Sequence, residues 1–237
     1  MIGFYDYTVI LTYLSMISAT CGIIFCLNNI GHPYIGMLFL LFCGLCDAFD
    51  GKVARTKKNR TDRMKKFGIQ IDSLSDLVAF GVLPACIGIA MMRSSIYYET
   101  LPSTLFFLKI TERAMGVKIA FTITATFYTL AALIRLAFFN VLEEERQQTA
   151  DNSSGKFFHG LPVTSAALVF PTVLLCHIVF SMDFTILYSV LMVVMGILFI
   201  SDIKVKKPTT KDVLVMIAFG AAEAIVLGLI FIFLKNR

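Results

Sequence analysis

The sequence predicts an all-α fold, a polytopic bundle of about seven transmembrane helices. Of the 237 residues, 57% are hydrophobic and only 16% are charged, whereas soluble domains have roughly 45–50% apolar and about 25% charged residues. The mean hydropathy is +0.80. The apolar residues also gather in long runs, each close to the length of about 20 residues that crosses a bilayer as a helix. Lipid is therefore the expected solvent for most of the chain.

Seven apolar runs are each expected to form one helix. They lie at residues 8–29, 33–54, 69–92, 117–142, 161–181, 184–202 and 212–234. No linker rich in Pro, Gly or Ser and no low-complexity tract divides the chain, so we expect a single domain over residues 1–237. The first run continues into a whole membrane domain, which favours a retained span over a cleaved signal peptide.

The lysine and arginine residues predict the orientation, because loops that are rich in them stay in the cytoplasm. They are concentrated in a predicted loop over residues 55–67, and others follow the fourth and sixth runs. We expect an integral protein of the cytoplasmic membrane with its N-terminus inside and, with seven helices, its C-terminus outside. The basic cluster is expected to contact anionic lipid of the bilayer, and no nucleic-acid partner is expected.

Four aspartates interrupt the second and third runs near this basic loop. Asp47 and Asp50 are three residues apart, and Asp72 and Asp76 are four apart, so each pair shares one face of a helix. The loop makes the two helices antiparallel neighbours, which brings both pairs to the same depth. Four carboxylates in a medium of low dielectric repel one another, and Mg²⁺ and Mn²⁺ favour carboxylate ligands. We predict a divalent-metal site at the cytoplasmic side.

Small residues and an arginine lie beside the aspartates. Gly51, Ala54 and Gly68 would let a ligand approach the backbone closely. Arg55 follows Gly51 by one helical turn and would bind a phosphate through two hydrogen bonds. These features together predict a diphosphate pocket. The alternative is that the aspartates pair with loop lysines at the helix ends, which would account for one or two acids but not for four.

The whole pattern resembles the signature of the CDP-alcohol phosphotransferase family. It reads D-x2-D-G-x2-A-R over residues 47–55 and G-x3-D-x3-D over residues 68–76, and every signature position matches. The spacer between the two halves is somewhat longer than in the commonest form of the family. The resemblance implies a six-helix core with one additional helix here, a membrane-surface active site and a homodimer.

The resemblance also implies a role for each motif residue. Asp47, Asp50 and Asp72 would bind a pair of Mg²⁺ or Mn²⁺ ions, and Asp76 would lie near the metals and act as the general base. The reaction would be an in-line attack of an alcohol on the lipid-linked phosphorus of CDP-diacylglycerol, with CMP leaving. The CDP moiety would be held by the remaining motif residues, Gly51, Ala54, Arg55 and Gly68.

A second resemblance, to the phosphatidylserine synthase branch, concerns the acceptor alcohol. It lies in RLAFFN at residues 135–140 and FHGLPVTSAA at residues 158–167. That branch usually has a further arginine in place of Phe138 and a residue other than His159. Serine has a carboxylate that requires a cation, which Arg135 would supply, and Asn140 would orient the hydroxyl or ammonium group. We predict that these two residues and the 158–162 turn bound a pocket for L-serine; the alternative is that Arg135 reaches lipid phosphates and Asn140 caps its helix.

Other functions remain as alternatives. The same chemistry could use glycerol 3-phosphate, an inositol phosphate or choline, although a phosphorylated acceptor should require a larger basic pocket. A hydrolase would admit water to the same site. A cation or proton transporter would distribute its acids across the depth of the bilayer, whereas these four are crowded at one end.

Two further features receive a structural interpretation. Glu223 lies in the middle of the last span, where a carboxyl group is costly unless it faces protein and has a polar neighbour. All six cysteines lie in apolar runs and are expected to pack as small hydrophobic residues, including the Cys43–Cys46 pair.

Overall fold

The computed structural model describes residues 3–28, 32–94, 115–149, 157–180, 184–206 and 210–235. These residues are helical apart from loops and one small antiparallel ribbon, which confirms the predicted all-α class. A π-helical segment (Leu77–Val82) joins the helix Asp62–Asp76 to the helix Leu83–Ser94 without a break, so the two form one continuous helix. The α-helices are α1 (Ile10–Leu27), α2 (Pro33–Thr56), α3 (Asp62–Asp76), α4 (Leu83–Ser94), α5 (Met115–Thr149), α6 (Ala166–Val179), α7 (Thr185–Ile200) and α8 (Thr210–Lys235).

Five stretches of the described chain are long and apolar enough to cross a membrane. They are Ile10–Leu27, Pro33–Thr56, Asp62–Arg93, Met115–Glu145 and Asp212–Leu229. Helices α6 and α7 are apolar but have only 14 and 16 residues; at 1.5 Å per residue they extend about 21–24 Å, less than the roughly 30 Å of a hydrocarbon core. The chain is thus an integral membrane protein, and each of the seven predicted runs contains a helix.

Two predicted loop boundaries are wrong. Helix α3 begins at Asp62, because Thr61 caps it by accepting a hydrogen bond from the backbone N–H of Met64 at 3.3 Å. Only residues 57–61 therefore separate α2 from α3, instead of the predicted loop over 55–67. The sequence likewise predicts a loop over residues 143–160 after the fourth apolar run, but helix α5 continues to Thr149. Both errors arose because hydropathy detects where a helix enters lipid, whereas polar turns extend helices beyond it. The sequence also predicts a polar loop over residues 93–116, most of which lies outside the described residues.

An aromatic cluster holds the centre of the bundle together. Phe170 of α6 lies between Tyr128 of α5 and Tyr188 of α7, with ring centroids 5.5 Å and 4.7 Å away. Tyr128 also approaches Phe199 at 5.6 Å, and all four side chains are fully buried. Such rings contribute both buried area and favourable edge-to-face contacts. Helix α1 packs along α2, and α5 packs along α7.

Glu223 and the six cysteines have the structural roles that the sequence predicted. Glu223 is only 4% exposed, and its Oε1 accepts a 2.6 Å hydrogen bond from the hydroxyl of Thr172 on α6. The six cysteines are free thiols. Cys43 is buried and donates from Sγ to the carbonyl of Ser15 at 3.3 Å, which is a packing contact between α2 and α1.

A short ribbon connects the two ends of the α6–α7 region. Strand β1 (Phe157–His159) pairs antiparallel with β2 (Lys204–Lys206), so the chain before α6 is fastened to the chain after α7. A single 3₁₀ turn, Val163–Ser165, then leads into α6. This ribbon places residues 160 and 161 beside the inner part of α5.

Candidate active site

The four motif aspartates lie on two consecutive helices, Asp47 and Asp50 in the C-terminal half of α2 and Asp72 and Asp76 near the C-terminal end of α3. The carboxyl groups of Asp50 and Asp72 are within hydrogen-bonding distance of each other. Asp76 is the most buried of the four, at 8% exposure, and it interacts electrostatically with Asp47 and with the other two. The i, i+3 and i, i+4 spacings place each pair on one face of its helix, and the two faces are close enough for the acids to interact electrostatically.

The loop cations do not neutralise these acids. In the described part of the chain, ion pairs join Lys57 to Asp6 at 2.7 Å, Lys65 to Asp62 at 3.3 Å and Lys66 to Glu144 at 3.7 Å. The four motif aspartates have no lysine or arginine partner there. The alternative in which they pair with basic residues at the helix ends therefore has no support from these contacts.

The donor set fits a divalent ion of the Mg²⁺ or Mn²⁺ type. All four groups are carboxylates, the oxygen ligands which these hard cations prefer, and partly buried acids without a cation require compensating charge. As the side chains stand, no three Asp, Glu, His or Cys groups among the described residues are close enough together to share one ion. The metal ligands therefore stay a prediction.

The π-helical segment begins directly after Asp76. Within it the N–H of Leu83 bonds to the carbonyl of Val78, one residue farther back than in an α-helix. Pro84 has no N–H to offer to the preceding turn, and the buried hydroxyl of Tyr128 donates to the carbonyl of Phe80 at 2.6 Å. The backbone that follows the most buried aspartate is thus held by a side chain of α5. The sequence analysis missed this segment.

Two serines fix α3 from opposite sides. Ser75 is buried, and its hydroxyl donates to the carbonyl of Thr12 on α1 at 3.2 Å. Ser73 donates from Oγ to Oδ1 of Asn140 on α5 at 2.9 Å. Asn140 therefore contacts the helix that holds Asp72 and does not simply cap α5. The sequence analysis missed Ser73, although its position next to Asp72 was a signal that could have identified it.

Arginine side chains lie close to the small motif residues. A Cβ added to Gly51 would lie 3.9 Å from an Nη of Arg55, and one added to Gly68 would lie 2.7 Å from Nη2 of Arg60. Arg60 also donates from Nη1 to the carbonyl of Ala54 at 3.4 Å. Arg55 lies in the predicted place, one turn after Gly51, whereas Arg60 was counted in the sequence only as one of the loop cations.

On the acceptor side, Arg135 is buried at 6% exposure. Its Nε donates to the carbonyl of Leu161 at 3.3 Å, and its Nη2 donates to the carbonyl of Gly160 at 3.4 Å. Gly160 has φ +78°, and a Cβ there would lie 2.9 Å from the carbonyl oxygen of Ser201, so only glycine suits this turn. Arg135 and the turn meet, while Asn140 faces α3. The side chains of residues 157–159 lie outside the described part of the structure.

A small cavity of about 60 Å³ borders Asn140 between α3 and α5. Its lining carries charges of both signs. The sequence did not predict this combination, because the charged residues come from two helices that are far apart along the chain. The lining residues are Lys66, Ile69, Gln70, Asn140, Glu143 and Glu144.

A helical membrane bundle in which four carboxylates without cation partners in the described chain lie near glycines and guanidinium groups has the features expected of a membrane enzyme that acts on phosphate esters. Comparison with known families agrees with this class. The profile of the CDP-alcohol phosphatidyltransferase family matches residues 8–234, and the chain belongs to that family. Its members generally depend on a divalent metal.

Several relatives in this family have names that specify an acceptor. A CDP-diacylglycerol–serine O-phosphatidyltransferase of Methanocaldococcus jannaschii is 29% identical over 215 residues, which are 90% of this chain and 82% of that protein. The protein of the same name from Saccharomyces cerevisiae is 32% identical over 66% of this chain and 50% of its own length. An archaetidylserine synthase of Methanothermobacter thermautotrophicus is 31% identical over 65% of this chain and 53% of its own length. The chain thus spans most of the first relative and about half of the other two.

Proposed function

We propose that this chain transfers the phosphatidyl group of CDP-diacylglycerol to L-serine, which yields phosphatidylserine and CMP. The observation that carries the proposal is the mutual electrostatic interaction of the four motif carboxylates of α2 and α3, which have no cation partners in the described chain. Membership of the family supports the chemistry. The names of the relatives support serine as the acceptor.

In this proposal the four aspartates bind the metal, and one of them also acts as the general base. A divalent metal, bound by Asp47, Asp50, Asp72 and Asp76, would neutralise the diphosphate and the charge that develops on CMP. Asp76 accepts the proton of the serine hydroxyl. The hydroxyl oxygen forms a bond to the lipid-linked phosphorus as the bond from that phosphorus to the CMP oxygen breaks. The burial of Asp76 supports its role as base, because few waters compete for its carboxylate.

The donor lipid would lie along the ends of α2 and α3. Gly51 and Ala54 would let the CDP moiety approach the backbone, Gly68 would hold it together with the guanidinium of Arg60 that lies over this glycine, and the exposed Arg55 would bind a phosphate in the bidentate manner of guanidinium groups. The acyl chains of the donor would remain in the bilayer. We place this end of the bundle at the cytoplasmic face of the cell membrane, because the lysines and arginines around it favour that side.

The acceptor would enter beside α5. Arg135 uses Nε and Nη2 on the 160–161 turn, and its Nη1 makes no hydrogen bond within the described chain, so it can bind the serine carboxylate. Asn140 offers its amide N–H groups while its Oδ1 binds Ser73. The adjoining cavity contains Lys66 and two glutamates, and charges of both signs suit a zwitterionic amino acid. A single domain over 1–237 that forms homodimers, as the family resemblance implies, completes the proposal.

The test is an assay of the purified protein with CDP-diacylglycerol, Mn²⁺ or Mg²⁺ and a panel of alcohols. Release of CMP that requires serine, with labelled phosphatidylserine as the product, is the expected result. Release of CMP with glycerol 3-phosphate, an inositol phosphate or choline, but not with serine, would show that the acceptor is a different alcohol. Release without any alcohol would indicate a hydrolase. A variant with asparagine at all four aspartates should form no product, and normal turnover by that variant would end the proposal.

A further inference from the structure

We propose that Arg60, from the short connection between α2 and α3, is a second guanidinium of the CDP-lipid site and binds a phosphate of the nucleotide. This inference rests on the proposed function, because it takes the donor to be a CDP-linked lipid. Arg60 lies outside the motif pattern over residues 47–55 and 68–76. It belongs to the spacer that is longer than the commonest form of the family.

The position of Arg60 connects it to the donor pocket. Its Nη2 lies 2.7 Å from where a Cβ of Gly68 would be, so its guanidinium covers that motif glycine. Its Nη1 reaches the carbonyl of Ala54, another motif residue, at 3.4 Å. Gly68 precedes the metal-site acid Asp72 by one helical turn, which is about 6 Å along the axis. A diphosphate that is bound at the acids would therefore extend to the guanidinium.

The hydrogen bonds of Arg60 are incomplete. Its donors reach the carbonyls of Ala54 and Met64 at 3.4 Å each, beyond the usual range for N–H···O bonds. Its Nε is buried and has no hydrogen-bond partner, which is costly for a charged group. No ion pair of the described chain includes Arg60. The guanidinium thus has no counterion among the described residues, and its Nη donors are only weakly bound, so they can turn to an acidic ligand.

A phosphate oxygen matches these vacant donors better than further protein contacts do. Guanidinium groups bind phosphate through two parallel, charge-assisted hydrogen bonds. The aspartates and the diphosphate are both negatively charged, so they repel each other in the site. A cation on the diphosphate side, opposite the acids, reduces that repulsion. The longer spacer has a function in this view, because it turns Arg60 back over Gly68.

The test measures binding of CDP itself to the purified full-length protein in detergent with Mg²⁺, by calorimetry and without serine. Loss of a charged hydrogen bond should weaken CDP binding by about 10–100-fold in Arg60→Ala. Arg60→Gln is the decisive variant, because its amide can still donate to the carbonyls of Ala54 and Met64 but has no charge. We expect it to retain the wild-type Tm and to show the weak CDP binding of Arg60→Ala. Lys58→Ala, which removes an exposed cation from the same loop, should bind CDP like the wild type.

Three results would overturn the proposal. One is wild-type CDP affinity in Arg60→Gln, since Arg60 would then only fasten the loop. Another is equal weakening by Lys58→Ala, which would indicate a general effect of loop charge. The third is an equal loss of affinity for cytidine and CDP, which would place the contact at the base. If the wild type turns over no serine but Arg60→Gln still loses CDP affinity, the acceptor assignment fails and the role of Arg60 stands.

Discussion

The donor and acceptor sides of the site are built in different ways. On the donor side, the acids come from two adjacent helices and have no cation partners among the described residues, so their charges are available to a ligand. On the acceptor side, Arg135 and Asn140 already hold protein groups: the carbonyls of Gly160 and Leu161 for the first and Ser73 for the second. In the proposed function the donor side is therefore available to a ligand, while the acceptor side combines substrate binding with support of the fold.

Metal removal tests the donor side most strongly. Excess chelator should reduce CMP release to background, because four carboxylates without a cation would repel the diphosphate. Since the metal binds the folded protein, its removal should also lower the Tm, which gives a readout that is independent of activity. Restoring Mn²⁺ or Mg²⁺ should reverse both effects. Full activity in excess chelator would contradict the metal assignment.

Substitution of the base is expected to have the next largest effect. Asp76→Asn keeps the size of the side chain but cannot accept the serine proton, so kcat should fall by about 10²–10⁴-fold. Asp62→Asn is the matched control, because Asp62 lies on the same helix and its side chain is 92% exposed beside Lys65. A loss of less than tenfold in Asp76→Asn, with its metal binding intact, would remove Asp76 as the base.

On the acceptor side the expected effect is on substrate affinity. Arg135→Ala should raise the KM for serine by about 10–100-fold, the cost of a lost charge-assisted hydrogen bond, and leave CDP binding unchanged. Arg135→Lys should recover part of the affinity. If the alanine variant instead lowers the Tm and weakens both substrates to the same degree, Arg135 only supports the turn at Gly160. Unchanged serine kinetics would exclude Arg135 from the serine site.

The contact between Ser73 and Asn140 joins the two sides. Ser73→Ala removes the hydroxyl that orients the Asn140 amide at 2.9 Å, so the serine KM should rise by a few-fold, in line with about 1 kcal/mol for a neutral hydrogen bond. Ser73→Thr retains a hydroxyl and serves as the control. Equal serine kinetics in the wild type and the alanine variant would show that the contact is incidental to the acceptor.

The same difference explains what the sequence could predict. The locations of Asp47 and Asp76 follow from their spacing within two neighbouring helices, because helical periodicity alone sets which faces they share. The surroundings of Arg135 depend on a turn that β1 and β2 fasten from a distance in the chain, and no local pattern encodes that pairing. The π-helical segment after Asp76 depends on Tyr128 in another helix. Sequence patterns thus pointed to the motif aspartates and Arg135, but neither to Ser73 and Arg60 nor to the backbone that holds them.

The smallest expected effect concerns the N-terminal segment, where Asp6 pairs with Lys57 at 2.7 Å. Hydrogen bonds from Lys57 and Thr8 lower the pKa of Asp6 to about 2. A pKa below the unfolded value near 3.9 means that the pair stabilises the fold above that pH and loses this contribution as the pH falls towards 2. The wild type should therefore have a higher Tm than Asp6→Asn at pH 6, from a stabilisation of less than about 1 kcal/mol because the pair is partly exposed, and the difference should vanish below pH 2. Equal Tm values at pH 6 would show that the pair does not stabilise the fold.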